Sequence, residues 1–153
     1  MIVFRLSKSK HSKDLSGKGA EKFGGRWNSK GVAILYTSDS RALCTAEIAV
    51  HTPLGNIPED YEITLIKIPE HTIIPELEIT DLPIDWKSIP HSHSTQEIGD
   101  KFIDEGKFVA LKVPSAVVQG EFNFLLNPDH SDFKNITIEK IEPFAFDTRL
   151  FVR

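Results

Sequence analysis

The chain has 153 residues, 40% of them hydrophobic and 26% charged, with a formal net charge of −4. This composition is typical of a globular protein, and at this length we expect one domain over residues 1–153. No apolar run approaches the roughly 20 residues of a membrane span, and no signal-peptide pattern is visible, so we expect a cytoplasmic protein without a membrane partner. Cys44 is the single cysteine, which excludes an intramolecular disulfide and an all-cysteine zinc site.

The charge is unevenly distributed along the chain. Residues 5–30 contain eight positive and two negative side chains, a net charge of +6, which leaves −10 for all other residues. A broad nucleic-acid face needs positive charge to dominate the whole domain, so this distribution argues against one. A small anionic ligand such as a phosphate group fits a locally basic segment, and a solvated basic loop is the alternative.

Hydrophobic periodicity predicts short strands interrupted by two helices. The predicted elements are, in chain order, strands at 2–6 and 32–36, a helix at 40–51, strands at 61–68 and 72–74, a helix at 94–105, a strand at 108–113, a turn or another strand at 121–126, and a last strand or pair of strands at 135–146. Ser38 or Asp39 is expected to cap the first helix, and Ser94 begins the capping-box spacing that opens the second. Residues 7–30 are predicted to form a binding loop, and residues 75–93 an irregular surface segment. Many short strands with few helices predict an α+β fold with a largely antiparallel or mixed sheet.

Glu47 lies at the border of the apolar face of the first predicted helix. That face, which we expect to be buried, consists of Ala42, Leu43, Ala46, Ala49 and Val50. A carboxylate at such a border is either an exposed rim residue or a buried group with a function, and its position alone favours the rim.

The segment Gly24–Asn28 combines residue types that suit an anionic ligand. Paired glycines let the backbone approach a ligand closely, and Arg26 offers a planar fork that matches phosphate or carboxylate. Trp27 can stack on a ring of the ligand. A glycine turn with an arginine salt bridge and a core tryptophan explains the same residues equally well.

A metal site is a weaker interpretation of the histidines. His91 and His93, with Glu97 nearby, would be the ligands of a zinc hydrolase, but no third ligand stands at a recognised spacing. We therefore expect no metal. Cys44 lies near the apolar face of its helix and is predicted to be a buried structural thiol.

Five separate segments of the sequence form, in this order, a pattern that is specific only when they are taken together. They are Gly24-Gly25-Arg26-Trp27-Asn28, Ile34-Leu35-Tyr36-Thr37-Ser38, Ala46-Glu47-Ile48-Ala49-Val50-His51, residues 113–128 and residues 143–150. Together they resemble the RES domain family, over nearly the whole chain and with little contribution from residues 56–105. That family is named for an arginine, a glutamate and a serine, which are here Arg26, Glu47 and Ser115.

The resemblance implies an ADP-ribosyltransferase-like fold and the role of toxin in a bacterial toxin–antitoxin module. NAD⁺ is then the substrate, with no separate cofactor and no metal. The implied partner is an Xre-like, helical DNA-binding antitoxin, so that DNA is contacted only through the complex, and a homodimer is left open. We favour NAD⁺ degradation by hydrolysis or phosphorolysis. The alternatives are mono-ADP-ribosylation of a protein and a catalytically silent domain that binds a nucleotide or a partner.

The resemblance also implies roles for particular residues. Glu47 would hydrogen-bond the ribose 2′-hydroxyl and stabilise the oxocarbenium-like charge that develops as nicotinamide leaves. Arg26 would hold the pyrophosphate or the ribose region, and Tyr36 would stack on nicotinamide. Ser115 would hydrogen-bond the substrate without acting as a nucleophile, because no basic partner for it is visible. The remaining residues expected to line the pocket are Trp27 and Asn123.

Overall fold

Residues 1–152, which this computed structural model describes, form three α-helices and six β-strands. In chain order these are β1 (Ile2–Lys8), α1 (Lys18–Phe23), β2 (Leu35–Ser38), α2 (Arg41–His51), β3 (Tyr61–Lys67), α3 (His93–Glu105), β4 (Ala110–Pro114), β5 (Phe122–Leu126) and β6 (Thr137–Phe144). Short 3₁₀ turns occupy Ser9–His11, Ile79–Asp81, Ser131–Asn135 and Thr148–Leu150. The predicted α+β class is confirmed.

The strands form one sheet in the order β4-β5-β2-β1-β3-β6, and each neighbouring pair is antiparallel. The register pairs Asn123 at the start of β5 with Ser38 at the end of β2 and with Val113 near the end of β4. Because α2 follows β2 almost directly and Ser115 follows β4, these elements bring their polar residues to one end of the sheet.

Both longer helices, α2 and α3, pack on the same face of the sheet. Direct antiparallel partners share a face, and the register links Tyr36 to Leu125 and Phe4 to Ser38 on that side. The core under α3 consists of Trp27, Ile34, Trp86, Phe102, Leu111, Val113 and Leu125. The core under α2 consists of Leu6, Cys44, Ile63, Phe146 and Phe151. The opposite face buries a third cluster around Val3, Leu35, Ile66 and Phe124.

The predicted helix caps are wrong, although both helices exist. Ser40 is the N-cap of α2, since its Oγ accepts a hydrogen bond from Leu43 N at 3.0 Å, whereas Ser38 still belongs to β2. Helix α3 begins at His93, ahead of the predicted start, with Ser92 as its N-cap residue. Ser94 lies inside the helix, and its Oγ donates to Asp85 Oδ1 at 2.7 Å.

The buried stripe of α2 also differs from the prediction. Leu43 and Cys44 are buried, but Ala42 is exposed and Val50 is 58% exposed. The helix turns its Cys44 side towards the core formed with β1 and β3, which leaves Ala42 and Val50 facing solvent.

The predicted loops contain more structure, and one predicted strand does not form. Helix α1 lies within residues 7–30, and β2 begins at Leu35 rather than at residue 32. Residues 72–74 form no strand, because their backbone has no partner in the sheet. Within residues 1–152, no helix combines the length and the apolar character needed to cross a bilayer.

Candidate active site

Glu47 projects from α2 to the end of the sheet, where two side chains hold its carboxylate. Asn123 Nδ2 donates to Oε1 at 2.8 Å, and Ser115 Oγ donates to the same oxygen at 3.1 Å. No hydrogen bond within residues 1–152 reaches Oε2, and no buried side-chain oxygen there lacks a partner, so Oε2 is accessible to solvent. Glu47 is therefore a half-buried group in a fixed orientation, with one oxygen open, rather than an exposed rim residue.

Ser115 orients Glu47 and has no capacity left for a ligand. Its side chain is buried, and its hydroxyl oxygen accepts hydrogen bonds from Val117 N and Val118 N, both at 3.0 Å. A hydroxyl has one donor and two acceptor positions, and Glu47 takes the donor. In this structure the donor that we expected to serve the substrate goes to Glu47 instead.

Asn123 is held in the orientation that points its amide nitrogen at Glu47. Ser38 Oγ donates to Asn123 Oδ1 at 2.8 Å, which fixes the amide oxygen on the side away from the carboxylate. Sequence reasoning did not give Ser38 a role at the site. Its place at the last position of a strand, directly before the helix of Glu47, is the signal that points to it.

Arg26 lies in the two-residue tip of a tight hairpin closed by a bond from Gly25 N to Asn28 O at 3.0 Å. Its Nη1 donates to Trp86 O at 2.8 Å and to Ser88 O at 3.1 Å, so the segment before α3 anchors one corner of the guanidinium. Burial lowers the pKa of Arg26, and the charges of Glu47 and then Tyr36 act in the opposite direction.

The rest of the Arg26 guanidinium is open to a ligand. Within residues 1–152 no carboxylate forms an ion pair with Arg26, and no buried side-chain nitrogen lacks a partner. The nitrogens other than Nη1 therefore face solvent, on a cation that Glu47 attracts across the site. The salt bridge considered from sequence does not form.

Tyr36 supports the hairpin of Arg26 from below. Its hydroxyl donates to Asn28 Oδ1 at 2.6 Å and accepts from Trp27 N at 3.0 Å. A Cβ on Gly25 would lie 2.7 Å from the Tyr36 hydroxyl, so this close approach requires glycine. Burial raises the pKa of Tyr36. Its stacking on nicotinamide remains a prediction, while its place beneath the hairpin is a structural fact.

Trp27 is a core residue. Its side chain is 2% exposed and packs in the cluster under α3, so the indole has no face open to a ligand. The expectation that Trp27 lines the pocket is therefore wrong, and the alternative of a core tryptophan is right.

The two histidines considered as metal ligands lie just before α3 and at its first residue. Within residues 1–152, no group of three or more His, Cys, Asp or Glu side chains is arranged to hold a metal ion, so the zinc alternative has no ligand set. His91 instead lies near Arg26, since its pKa is lowered first by burial and then by the charges of Arg26 and His51.

Cys44 lies beneath the Glu47 side of the site. Its Sγ donates to Phe4 O at 3.2 Å, and burial raises the pKa of the thiol to about 11. The prediction of a buried structural thiol is confirmed.

A separate cavity of about 250 Å³ shares no residue with this site. It is lined in part by His71, Lys107 and His130, around the start of β4. Ser115 follows the other end of that strand, so the cavity and Glu47 lie at opposite ends of the sheet.

Comparison with known proteins identifies close relatives. A protein described as "Prs ADP-ribosylating toxin", from Sphingobium sp. strain YBL2, is 36% identical over 139 residues, which are 90% of this chain and 86% of that protein. A protein described as "Toxin Res", from Photorhabdus laumondii subsp. laumondii, is 38% identical over 152 residues, covering 98% of this chain and 97% of the relative.

The fold also matches a solved structure. A chain in the crystal structure of the M. tuberculosis MbcT–MbcA toxin–antitoxin complex superposes with a TM-score of 0.74 over 94% of this chain and 84% of that chain. At 19% sequence identity this likeness concerns the fold. The sequence profile of the RES domain matches residues 2–147, nearly the whole chain. The chain therefore belongs to the RES domain family.

Proposed function

We propose that this protein is the toxin of a toxin–antitoxin pair and that it cleaves the bond between nicotinamide and ribose in NAD⁺. The observation that carries the proposal is the carboxylate of Glu47, oriented by Ser115 and Asn123 on one oxygen and open on the other. The relative described as "Toxin Res" supports the role of toxin, and the one described as "Prs ADP-ribosylating toxin" supports chemistry on an ADP-ribose donor.

The open oxygen of Glu47 suits the transition state of glycosidic cleavage. As neutral nicotinamide leaves, positive charge develops on the ribose, and a nearby carboxylate stabilises it while accepting a hydrogen bond from the 2′-hydroxyl. A carboxylate fixed before the reaction needs no reorganisation when the charge appears. Ser115 and Asn123 supply this rigidity, because both donate to Oε1 and leave Oε2 for the sugar.

Arg26 suits the anionic half of NAD⁺. With Nη1 anchored on two carbonyl groups, its remaining nitrogens form a fork that matches a phosphate oxygen pair. Binding the pyrophosphate there places the reacting ribose towards Glu47, whose charge already attracts the guanidinium across the site. Tyr36 is the aromatic residue that we assign to stacking on nicotinamide.

The acceptor of the ADP-ribose group decides between two reactions. Water or inorganic phosphate gives NAD⁺ degradation, which we favour. Transfer to a protein side chain is the second candidate, and the relative described as an ADP-ribosylating toxin favours it. Both begin with the same bond cleavage.

We further propose that the protein acts with a helical, Xre-like antitoxin that carries the DNA contacts. The solved structure with the same fold is a toxin–antitoxin complex. The net charge of −4 agrees with DNA contact through a partner, since a nucleic-acid face of this chain itself would need dominant positive charge.

The decisive experiment follows NAD⁺ and its products by NMR or mass spectrometry, with and without inorganic phosphate. We expect release of nicotinamide by the wild type and a loss of at least about a hundredfold in Glu47→Gln, since one electrostatic contact in the transition state is worth that much. Glu139→Gln, the same chemical change at an exposed residue of β6, is the control and should retain full activity.

The products then distinguish the candidates. ADP-ribose or its phosphorylated form identifies degradation, and labelled protein in added cell extract identifies transfer. Nicotinamide release that persists in Glu47→Gln contradicts the role of Glu47. A wild type that binds NAD⁺ without turnover, with or without extract, contradicts the enzyme and supports the silent domain. In cells, expression should arrest growth for the wild type and for Glu139→Gln, but not for Glu47→Gln.

A further inference from the structure

Helix α3 holds the Arg26 hairpin through the amide of one glutamine. Gln96 Nε2 donates to Gly25 O at 3.0 Å and to Asn28 O at 3.2 Å. These two carbonyl groups belong to the residues on either side of the Arg26–Trp27 tip. A single amide nitrogen, using both of its hydrogens, therefore closes the base of the hairpin from the helix side.

Two further residues on the same face of α3 make the contact close. A Cβ on Gly99 would lie 1.6 Å from Trp27 O, so helix and hairpin touch through their backbones at this point. The carboxylate of Asp100 accepts from Ser29 N at 2.9 Å and from Ser29 Oγ at 2.6 Å. Positions 96, 99 and 100 follow helical spacing and lie on one face.

We infer that Gln96 is a positioning residue for Arg26, acting through the carbonyl groups of Gly25 and Asn28. This inference rests on the proposed function of Arg26 in holding the pyrophosphate. Arg26 itself touches neither Gln96 nor α3 through a hydrogen bond within residues 1–152, since its own anchors are Trp86 O and Ser88 O. Arg26 is thus held in two places: Gln96 supports the backbone of its hairpin, and Trp86 O and Ser88 O accept hydrogen bonds from its guanidinium.

Of the three α3 residues at this contact, Gln96 is the one whose side chain can be changed to test the support of the hairpin. Asp100 accepts a hydrogen bond from Ser29, which lies beyond the hairpin. Gly99 allows the hairpin backbone to approach α3 but forms no side-chain contact that could orient it. Without the Gln96 amide, Asn28 O keeps its bond from Gly25 N, whereas Gly25 O loses its only hydrogen bond within residues 1–152, which is the one from α3. The residue directly before Arg26 then gains freedom to rotate.

The test compares Gln96→Met, which keeps length and helix propensity but removes both donors, with Glu97→Gln at the exposed neighbouring position. The phosphate charges of NAD⁺ exist in both ground state and transition state. Misplacing Arg26 should therefore raise KM by on the order of tenfold, with a smaller decrease in kcat from the less well positioned ribose. Glu97→Gln should match the wild type. A lower kcat with unchanged KM indicates only a smaller folded fraction and overturns the inference.

A second measurement needs no activity. The chain has two tryptophans, Trp27 at the hairpin tip and Trp86, whose carbonyl group anchors Arg26. Their emission should shift to the red and become more accessible to acrylamide in Gln96→Met, at a temperature where circular dichroism shows both variants folded. Emission identical to that of the wild type contradicts the inference, even if NAD⁺ turnover itself is never found. Absence of turnover in the wild type contradicts the proposed function alone.

Discussion

The two charged groups of the site are held in different ways. Glu47 is oriented by side chains, Ser115 and Asn123, that stand at the ends of neighbouring strands. The guanidinium of Arg26 is oriented by two backbone carbonyl groups of one loop segment, those of Trp86 and Ser88. A side-chain hydrogen bond disappears when one residue is replaced, whereas a backbone acceptor survives replacement and moves only when its segment moves. The Glu47 carboxylate should therefore respond to substitution of either side chain that it contacts, whereas the Arg26 guanidinium should respond to changes that move its supporting segments, through packing or through the Gln96 amide.

The largest expected effect concerns the packing that supports the arginine side. Gly99→Ala places a methyl group against Trp27 O, so we expect it to lower the free energy of unfolding by about 3 kcal/mol. Gly19→Ala in α1 meets no atom within 4 Å and should instead be stabilising by up to about 1 kcal/mol. Urea unfolding of the two variants checks both values. Equal stabilities would show that α3 and the hairpin are not in rigid contact.

The next effect concerns the polar support of the carboxylate side. Asn123→Asp places a second carboxylate 2.8 Å from Glu47 Oε1, and the two groups then share a proton. We expect kcat to fall about a hundredfold at pH 7 and to recover partly as the pH rises. Asn123→Ala removes the same donor and should reduce kcat without this pH dependence. Identical pH profiles for the two variants would contradict the contact between Asn123 and Glu47.

A smaller effect tests whether the Cys44 thiol, which lies beneath Glu47, is shielded from water. The pKa of Cys44 is raised by burial from its ordinary value of 9.0 to about 11. Above pH 9 the unfolded chain therefore loses a proton that the folded chain keeps, so stability is complete below pH 9 and declines as the pH rises. The free energy of unfolding should fall by up to about 1.4 kcal/mol per pH unit in this window. Cys44→Ala should show a correspondingly flatter decline in urea unfolding, and an equal slope would place the thiol in contact with water.

The smallest effect compares two neighbouring residues of β2, one expected to orient the Asn123 amide and one expected to stabilise the fold. Ser38→Ala removes the bond that fixes the Asn123 amide, and we expect a loss of about 1 kcal/mol, or about fivefold, in kcat. Thr37→Val removes the neighbouring hydroxyl, which donates to Phe124 O on the opposite face of the sheet. That variant should lose stability and retain kcat. If both variants change kcat equally, the hydrogen bonds from Ser38 to Asn123 and from Asn123 to Glu47 have no role in orienting the carboxylate beyond a general effect on stability.

The sheet could be predicted from the sequence better than the loops. Strand β3 was placed almost at its observed bounds, Tyr61–Lys67, because a short run of apolar and β-branched residues can satisfy its backbone in few other ways. Helix α1 was missed, because its six residues lie among glycines and lysines without an apolar stripe. Its neighbours in the fold, rather than its own periodicity, stabilise it.

For the site, the sequence identified the residues but not the contacts between them. Glu47, Asn123, Ser115 and Arg26 were identified through resemblance, and their side chains carry the chemistry that made them recognisable. Periodicity could not show that Glu47 and Asn123, which are 76 positions apart, share a hydrogen bond, since register is a property of the assembled sheet. The anchoring of Arg26 by Trp86 O and Ser88 O could not be predicted either, because every residue has a carbonyl group.

The strand order also determines when the site can exist during synthesis. Strand β5, which carries Asn123, is inserted between β2 and β4, so the early strand β2 has no partner on that side until residues 122–126 have been made. A nascent chain that ends before these residues contains Glu47 and Arg26 but cannot orient the carboxylate. The activity that we propose is therefore acquired at a late stage of translation, and shortened products of the gene are expected to be harmless.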